Sequence, residues 1–221
     1  MKGARAAMIM AAGCLASDKR PAGDVYVSGT AMEEISEGCA LSYIIEKVKP
    51  DYVIIGEASL LNLNIGQRGR GEIVVRTKGK PAHSSNPEVG VNAVYKMMKL
   101  IEGIRRIPVS RHEMLGDGIL ELTDIISSPY PGASVVPELC TATFDRRLLI
   151  NESEETVLEP IRKLIDELKK EDPQFDAEAY IAGMDLEFYT GYKTKHLKFA
   201  PAWCLDKERN AELINCALEA L

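Results

Sequence analysis

Acidic side chains stand at two points of this sequence where they could bind a metal ion. Glu33 and Glu34 are adjacent and follow the segment VSGTAM, and Glu57 follows the uncharged run VIIG. Both points come at the end of a predicted strand, which is where ligand sites form in α/β sheets. Carboxylates on two such strands favour a hard metal ion, and a neighbouring carboxylate that stays free can act as a base. The alternatives are a solvated acidic turn at the pair and a cap or salt bridge at Glu57.

A lone histidine and an arginine on a strand are further candidates. His83 lies in the loop KGKPAHSSNPEVG, which lacks a second histidine at the spacing of a helical zinc motif. Arg147 alternates onto the same face of a predicted strand as Asp145, and Arg146 falls on the other face. The guanidinium of an arginine that faces a cleft can bind a carboxylate through two hydrogen bonds. A simply exposed histidine and a local Arg–Asp ion pair are the alternatives.

The acidic candidates must be positioned by the first part of the chain. Its pattern predicts helices over Lys2–Ala16 and Glu37–Val48, which alternate with strands over Asp24–Glu34 and Asp51–Glu57. The first helix is rich in Ala and Met and apolar nearly all round, so it is predicted to be buried. The order helix–strand–helix–strand predicts an α/β layer with parallel strands.

The middle of the chain has a different pattern. It predicts, in order, elements over Glu72–Thr77, Asn86–Arg106, Gly118–Ile126, Glu138–Leu149, Ser153–Lys170 and Phe175–Ile181. The order β-α-β-β-α-β is the ferredoxin-like, split-βαβ arrangement, an antiparallel sheet with two helices on one face. After Gly183 the first pattern returns, so residues 69–184 are predicted to be inserted between 1–68 and 185–221. The first helix lacks an N-cap and the last lacks a glycine cap, so we expect truncation at both ends.

Composition excludes some classes of protein. The 221 residues carry a formal charge of −6, which argues against nucleic acid as the main partner. No apolar run reaches the roughly 18 residues that a membrane-spanning helix needs. The five cysteines are scattered and form no CxxC, which predicts reduced, mostly buried thiols in a cytoplasmic protein.

The order of five segments resembles one family. MKGARAAM, TAMEEISEG, IIGEAS, GQRGRGEIVVRTKGKPAHSSNPEVGVNAV and SVVPELCTATFDRR are similar to the di-zinc metallopeptidase and aminoacylase family of acetylornithine deacetylase, succinyl-diaminopimelate desuccinylase and glutamate carboxypeptidase. GQRGR and the TGY…FAPAW segment look like its selenium-metabolism hydrolase branch. The resemblance implies a partial parallel or mixed-sheet zinc-hydrolase catalytic domain at 1–68 and 185–221. The ferredoxin-like insertion at 69–184 would be its dimerisation, or lid, domain.

The resemblance also implies roles for the acidic residues. Glu33 matches the general base that activates the metal-bound water. Glu34 and Glu57 each match a ligand of one of two zinc ions, which cobalt or manganese could replace. The family's bridging aspartate precedes Met1, and its histidine ligands also lie beyond this sequence. We therefore expect this polypeptide to bind the metal centre incompletely and to be inactive as a fragment.

Three further residues match positions in the lid domain. His83 matches a histidine that reaches the partner's active site across a homodimer. Arg147 matches the arginine of a D-x-R motif that holds the substrate carboxylate, and Arg68 falls near a second substrate-binding arginine. Ser134 occupies a place where the family usually has asparagine.

The implied function is metal-dependent hydrolysis of an amide or peptide bond. A deacylase, dipeptidase or carboxypeptidase would act on a small N-acyl amino acid or peptide with a free carboxylate. The alternatives are a non-catalytic homodimerisation module and a small-molecule-binding module, because the ferredoxin-like fold supports both.

Overall fold

A computed structural model describes residues 2–17 and 21–221. Met1, the first residue of the MKG segment, and residues 18–20 lie outside the described residues. The chain divides into two compact units: the first contains residues up to Asn64 together with Asp206–Leu221, and the second spans Ile65–Leu205. No helix in the described ranges is long and apolar enough to cross a bilayer.

The chain contains both helices and strands. The helices are α1 (Lys2–Ser17), α2 (Cys39–Val48), α3 (Ala93–Ile104), α4 (Glu154–Glu171) and α5 (Ala211–Glu219), with a short 3-10 helix at Pro87–Val89. The strands are β1 (Gly66–Gln67), β2 (Gly69–Lys78), β3 (Ala82–His83), β4 (Arg111–His112), β5 (Gly116–Asp117), β6 (Ile119–Ser128), β7 (Val135–Val136), β8 (Leu139–Leu148), β9 (Asp176–Ile181), β10 (Gly183–Glu187), β11 (Lys193–Leu197), β12 (Phe199–Ala200) and β13 (Trp203–Cys204). The α/β class predicted from the sequence is confirmed.

The first unit confirms the predicted helices but not the predicted strands. The helices α1 and α2 form where the patterns predict them, and this unit also contains α5. The strands predicted over Asp24–Glu34 and Asp51–Glu57 are wrong for the residues that the structure describes, which form no strand in this unit. A strand needs a neighbour to pair its backbone groups, and the described part of this unit supplies none. The parallel sheet is therefore not formed here.

Burial in the first unit also differs from the prediction. Most side chains of α1 are exposed, Met10 by 69%, so the prediction of a buried helix is wrong. Ile54, in the middle of the second predicted strand, is 80% exposed. The predicted burial of the cysteines holds only for Cys140. These apolar side chains lack the second layer that an α/β sheet places over them.

The second unit contains the predicted ferredoxin-like sheet. The antiparallel strands lie in the order β6-β8-β2-β9. The short strand β12 pairs with the same edge of β2 as β9 does, but at the other end of β2. Ile73 of β2 lies opposite Phe144 of β8, and Val75 lies opposite Ala142. The strand β6 pairs only with β8 and is therefore an edge of this sheet. Every neighbouring pair of strands is antiparallel, as the β-α-β-β-α-β order requires.

The hydrophobic core of the second unit lies between one face of this sheet and the helices α3 and α4. Alternate residues of β8 point into it, and both helices bury a stripe of residues three and four apart. Each buried aliphatic or aromatic side chain contributes about 1.5–3 kcal/mol relative to an exposed one. The largest fully buried members are Phe144, Ile73, Met97, Leu100, Ile104, Leu148 and Ile161. The opposite face of the sheet is open and carries the charged residues.

The start of α3 differs from the prediction and that of α4 agrees with it. The helix predicted over Asn86–Arg106 begins only at Ala93, because Asn92 is the N-cap and accepts hydrogen bonds from Val94 and Tyr95. The helix α4 begins where the pattern predicts, and there Ser153 forms a capping box with Thr156 through reciprocal bonds between side chain and backbone.

Candidate functional site

The acidic pair of the first unit lies in a turn that Ser36 closes. Both the backbone N–H and the hydroxyl of Ser36 donate to the carbonyl of Met32, at 2.9 and 3.0 Å. Ser36 is 2% exposed, whereas Glu33 and Glu34 are exposed. Met32 has a φ of +61°, in the left-handed region. The turn thus presents two adjacent carboxylates from a fixed backbone.

Helix α1 packs against both segments that lead to the acids. A Cβ at Gly56, next to Glu57, would lie 2.8 Å from Cε of Met8 and 3.0 Å from Cβ of Ala4. A Cβ at Gly29, upstream of the acidic pair, would overlap the guanidinium of Arg5. At both positions an added Cβ would meet α1, so side chains of the helix would have to shift to accept a residue larger than glycine.

The negative charges at the two predicted acidic points influence one another in the structure. The pKa of Glu33 is raised above its ordinary value of 4.5, first by partial desolvation and then by the negative charges of Glu34, Glu57 and Glu37. Like charges in one region disfavour the ionised form, which a bound cation would relieve. However, the described residues contain no group of three or more His, Cys, Asp or Glu side chains that could hold a metal ion. A complete two-zinc centre therefore does not fit these residues.

His83 belongs to the second unit and is exposed. It lies on β3, which pairs with β7. Its Nδ1 accepts from the backbone N–H of Ser85 at 3.2 Å and lies 2.8 Å from the Ser85 hydroxyl oxygen. Because Nδ1 accepts a hydrogen bond, the neutral ring carries its proton on Nε2. The loop thus presents an N–H donor to the surroundings.

Ser134 fixes the backbone next to the histidine loop. Its carbonyl accepts from the N–H of Ser84 at 2.9 Å, and its φ is +59°. This left-handed conformation is one that asparagine adopts more readily than serine.

Arg147 lies on the open face of the sheet, as the alternation predicts. Its Nε donates to Oδ2 of Asp145 at 2.7 Å, and its side chain is 43% exposed. Arg146 instead points to the helix side, where it is 7% exposed and paired with Glu152. Of the two adjacent arginines, only Arg147 is available to a ligand.

The arginine that lies across the sheet from Arg147 is Arg70, not Arg68. Arg70 lies directly opposite Arg147 in the β2–β8 register, and its Nε donates to Oδ1 of Asp145 at 3.1 Å. Arg68 donates instead to the carbonyl of Asp117 at 2.9 Å. Sequence reasoning missed Arg70, because its neighbour across the sheet depends on the register of two strands far apart in sequence. The alternation of β2 alone would have placed Arg70, Glu72 and Arg76 on one face.

A groove of 630 Å³ lies between the histidine loop, α3 and the end of α4. Its cations are paired: Lys96 with Asp172, and Lys99 with Glu171 at 2.9 Å. The hydrogen bond from Lys96 lowers the pKa of the Asp172 carboxyl below its ordinary value. Both lysines that line the groove are thus paired with carboxylates.

Comparison with known proteins gives matches over part of the chain. Residues 65–173 match the family model of the peptidase dimerisation domain. The Escherichia coli K12 protein YgeY, which is uncharacterized, is 34% identical over 142 residues, which are 62% of this chain and 35% of YgeY. Acetylornithine deacetylase of Buchnera aphidicola from Schizaphis graminum is 31% identical over 108 residues, which are 48% of this chain and 28% of that enzyme. The chain thus spans at most 35% of the length of these relatives.

Among solved structures, a hydantoinase/carbamoylase family amidase from Burkholderia ambifaria aligns with a TM-score of 0.47 and 15% identity. The alignment covers 71% of this chain and 34% of that amidase.

Proposed function

We propose that this chain, whose residues 65–173 match the family model of the peptidase dimerisation domain, is part of a metal-dependent hydrolase of amide or peptide bonds in the M20 metallopeptidase family. The substrate proposed is a small N-acyl amino acid or peptide with a free carboxylate. The domain match carries the proposal. The names of the acetylornithine deacetylases among the relatives support an acylated amino acid as substrate.

The proposed base is Glu33. Glu33 is exposed on the turn that Ser36 closes and is adjacent to Glu34, so its carboxylate is accessible to a water that a metal ion at Glu34 would hold. Glu33 would accept the proton of the attacking water and return it to the leaving amine. The M20 family is generally metal-dependent, and the metal supplies a polarised water and charge stabilisation when bound. Glu34 and Glu57 are the proposed ligands from this chain, and the remaining ligands would come from elsewhere.

The proposed role of His83 is to donate a hydrogen bond from Nε2. The Ser85 backbone N–H occupies Nδ1, which leaves Nε2 as the donor of the neutral ring. Such a donor stabilises the negative charge that develops on a carbonyl oxygen during amide hydrolysis. We propose that His83 acts on the active site of the partner in a homodimer.

The proposed role of Arg147 is to bind the substrate carboxylate. Its guanidinium lies on the open face of the sheet and retains its terminal nitrogens, because Asp145 accepts only from Nε. A fixed guanidinium orients the amide bond by holding the far end of the substrate. The proposed organisation is an insertion of residues 69–184, as lid, between the catalytic pieces 1–68 and 185–221.

A carboxylate-dependence experiment on the complete protein that contains this chain tests the proposal. Hydrolysis of N-acetyl amino acids should exceed that of the matching N-acetyl amino acid amides, and chelation of divalent metal should abolish it. Arg147→Lys should reduce kcat/KM for the carboxylates by about tenfold or more, because a bidentate contact is lost. Arg76→Lys, a matched change on the same face of the sheet, should leave it unchanged. Equal rates with the amides would contradict the proposed substrate class.

A homodimerisation module without catalysis is the second candidate. The edge strand β6 exposes Ile119, Ile125 and Ile126 by 38%, 46% and 53%. An apolar edge strand is a surface to which a second copy can add its own strand. The two candidates differ in one result: the module predicts a dimer whose complete protein has no amidase activity.

A further inference from the structure

We propose that Asp145 is a positioning residue, which fixes the guanidinium of Arg147 so that its two terminal nitrogens can bind the carboxylate of an N-acyl amino acid. Arg70, on the neighbouring strand, donates a second hydrogen bond to the same aspartate. This inference rests on the proposed function, since it concerns the residue to which the substrate carboxylate is assigned there.

The carboxylate of Asp145 divides its two oxygens between two arginines. Oδ1 accepts from Nε of Arg70 at 3.1 Å, and Oδ2 accepts from Nε of Arg147 at 2.7 Å. Both contacts are charge-assisted, and the shorter one falls on Arg147. The carboxylate cannot rotate to strengthen one contact without weakening the other. The Asp145 side chain is therefore held by two partners on two strands.

The way in which Asp145 binds Arg147 determines which edge of the guanidinium remains for a ligand. A guanidinium can bind a carboxylate side-on, through Nε and one terminal nitrogen, or end-on, through Nη1 and Nη2. Asp145 uses Nε. Within the described ranges, Nη1 and Nη2 of Arg147 have no hydrogen-bond partner. The end-on edge is therefore the one that remains for a second carboxylate.

The network of charged residues extends beyond Arg70 to Glu72 and Lys198. Glu72 accepts from Nζ of Lys198 with both oxygens, at 2.8 and 2.9 Å, and one of its oxygens lies 3.9 Å from Nη2 of Arg70. In the register of β2 and β8, Glu72 lies opposite Asp145 as Arg70 lies opposite Arg147. The network is thus built on a regular ladder, whose strand spacing fixes its geometry.

Burial distinguishes the aspartate from the arginines that it contacts. The side chain of Asp145 is 19% exposed, whereas those of Arg70 and Arg147 are 44% and 43% exposed. The aspartate is therefore less accessible to a ligand than the two guanidinium groups. Glu121 of β6 lies opposite Asp145 on the same face, is exposed and carries the same charge. It has no hydrogen bond to either arginine and provides a matched control.

Whether affinity for a carboxylate rises or falls when the charge of Asp145 is removed distinguishes a positioning role from a purely electrostatic one. Removing a negative charge from a site strengthens the binding of an anion if only Coulomb forces matter. Asp145→Asn should instead weaken carboxylate binding, because the neutral amide holds Arg147 less well and its NH₂ group cannot accept. Glu121→Gln removes an equal charge on the same face of the sheet and should leave affinity unchanged or slightly higher.

The experiment is an NMR titration of the 221-residue chain with N-acetylglycine, and with N-acetylglycinamide as the probe that lacks a carboxylate. The Nε–Hε resonance of Arg147, assigned by its loss in Arg147→Lys, reports binding at the proposed atom. We expect the acid but not the amide to shift this resonance. Asp145→Asn should weaken the affinity about tenfold, the effect of losing one charge-assisted contact. Asp145→Glu, which keeps the charge, should restore part of it.

Three results would overturn the inference in distinguishable ways. If N-acetylglycine does not shift the resonance in the wild-type chain, the proposed carboxylate site fails and the inference fails with it. If it binds and Asp145→Asn binds as tightly or more tightly, positioning by Asp145 is wrong while the site stands. If Glu121→Gln weakens binding as much as Asp145→Asn, removal of any acid from this face of the sheet weakens binding, and Asp145 has no specific positioning role. Should Asp145→Asn fail to fold, as judged by thermal unfolding, Asp145→Glu and Arg70→Lys carry the test, and both must weaken binding.

Discussion

The same substitution should destabilise the protein to very different extents at two adjacent arginines of β8. Arg146 is enclosed on the helix side, where it pairs with Glu152 and donates to the carbonyl of Ile119 at 3.3 Å. Arg147 lies on the open face and contacts Asp145. Arg146→Ala should therefore reduce the free energy of unfolding strongly and Arg147→Ala only slightly.

The size of the difference follows from burial. Arg146 and Glu152 have side chains that are 8% and 16% exposed, and breaking a buried pair by removing one partner costs about 3–5 kcal/mol. Glu152 retains the N–H of Leu149 as a donor at 2.9 Å, so we expect the lower end, about 3 kcal/mol. Arg147 is 43% exposed, and such pairs contribute about 0.2–1 kcal/mol. Asp145 keeps Arg70 in that variant.

Urea unfolding and thermal unfolding, each followed by fluorescence, measure this difference. Trp203 is the single tryptophan and lies in the second unit, on β13. Arg146→Ala should lower the midpoint of thermal unfolding by about 10 °C, and Arg147→Ala by about 2 °C. Losses that agree within about 1 kcal/mol, or a larger loss for Arg147→Ala, would refute the assignment of Arg146 to structure and Arg147 to ligand binding.

Three further predictions follow from the same geometry. Glu33→Gln should stabilise the protein at neutral pH, because the raised pKa makes the ionised native carboxylate unfavourable; urea titrations should show the gain disappearing as the pH falls below 4.5. Lys96→Met should lower the free energy of unfolding by about 1 kcal/mol at neutral pH. The difference from wild type should shrink as the pH falls through the lowered native pKa of Asp172, because the wild type then loses its own ion pair. Ile126→Lys on the β6 edge should shift the chain from dimer to monomer in light scattering, whereas Tyr189→Lys, on the hairpin tip and 100% exposed, should not. A wild-type monomer at high concentration would contradict the third prediction.

Local patterns predicted the second unit well because its elements contain their own signals. Alternation in β8 assigned each side chain to its face, and the Ser153–Thr156 capping box began α4 where expected. The predicted start of α3 was wrong because Pro87 and Glu88 are residues that suit the first turn of any helix, and they do not specify which helix begins there. Here they begin a separate 3-10 turn, and Asn92 caps α3.

The first unit was predicted less well because its strands depend on partners rather than on their own sequence. The run DYVIIGE has the composition of a strand covered on both faces, but such a strand forms only beside a neighbour. Arg70 was missed for a related reason. Its proximity to Arg147 arises from the pairing of Gly69–Lys78 with Leu139–Leu148, and no local pattern specifies that register.

Metal-dependent amide hydrolysis that requires Glu33 is the central claim, and one measurement tests it most directly. The rate of N-acetyl amino acid hydrolysis by the complete protein, with divalent metal supplied, should fall about a hundredfold or more in Glu33→Gln, the size expected when a general base is removed. Glu37→Gln, which changes an acid in the same cluster, should retain most of the rate. A Glu33→Gln variant as active as Glu37→Gln, or a wild-type rate that persists without metal, would contradict the account.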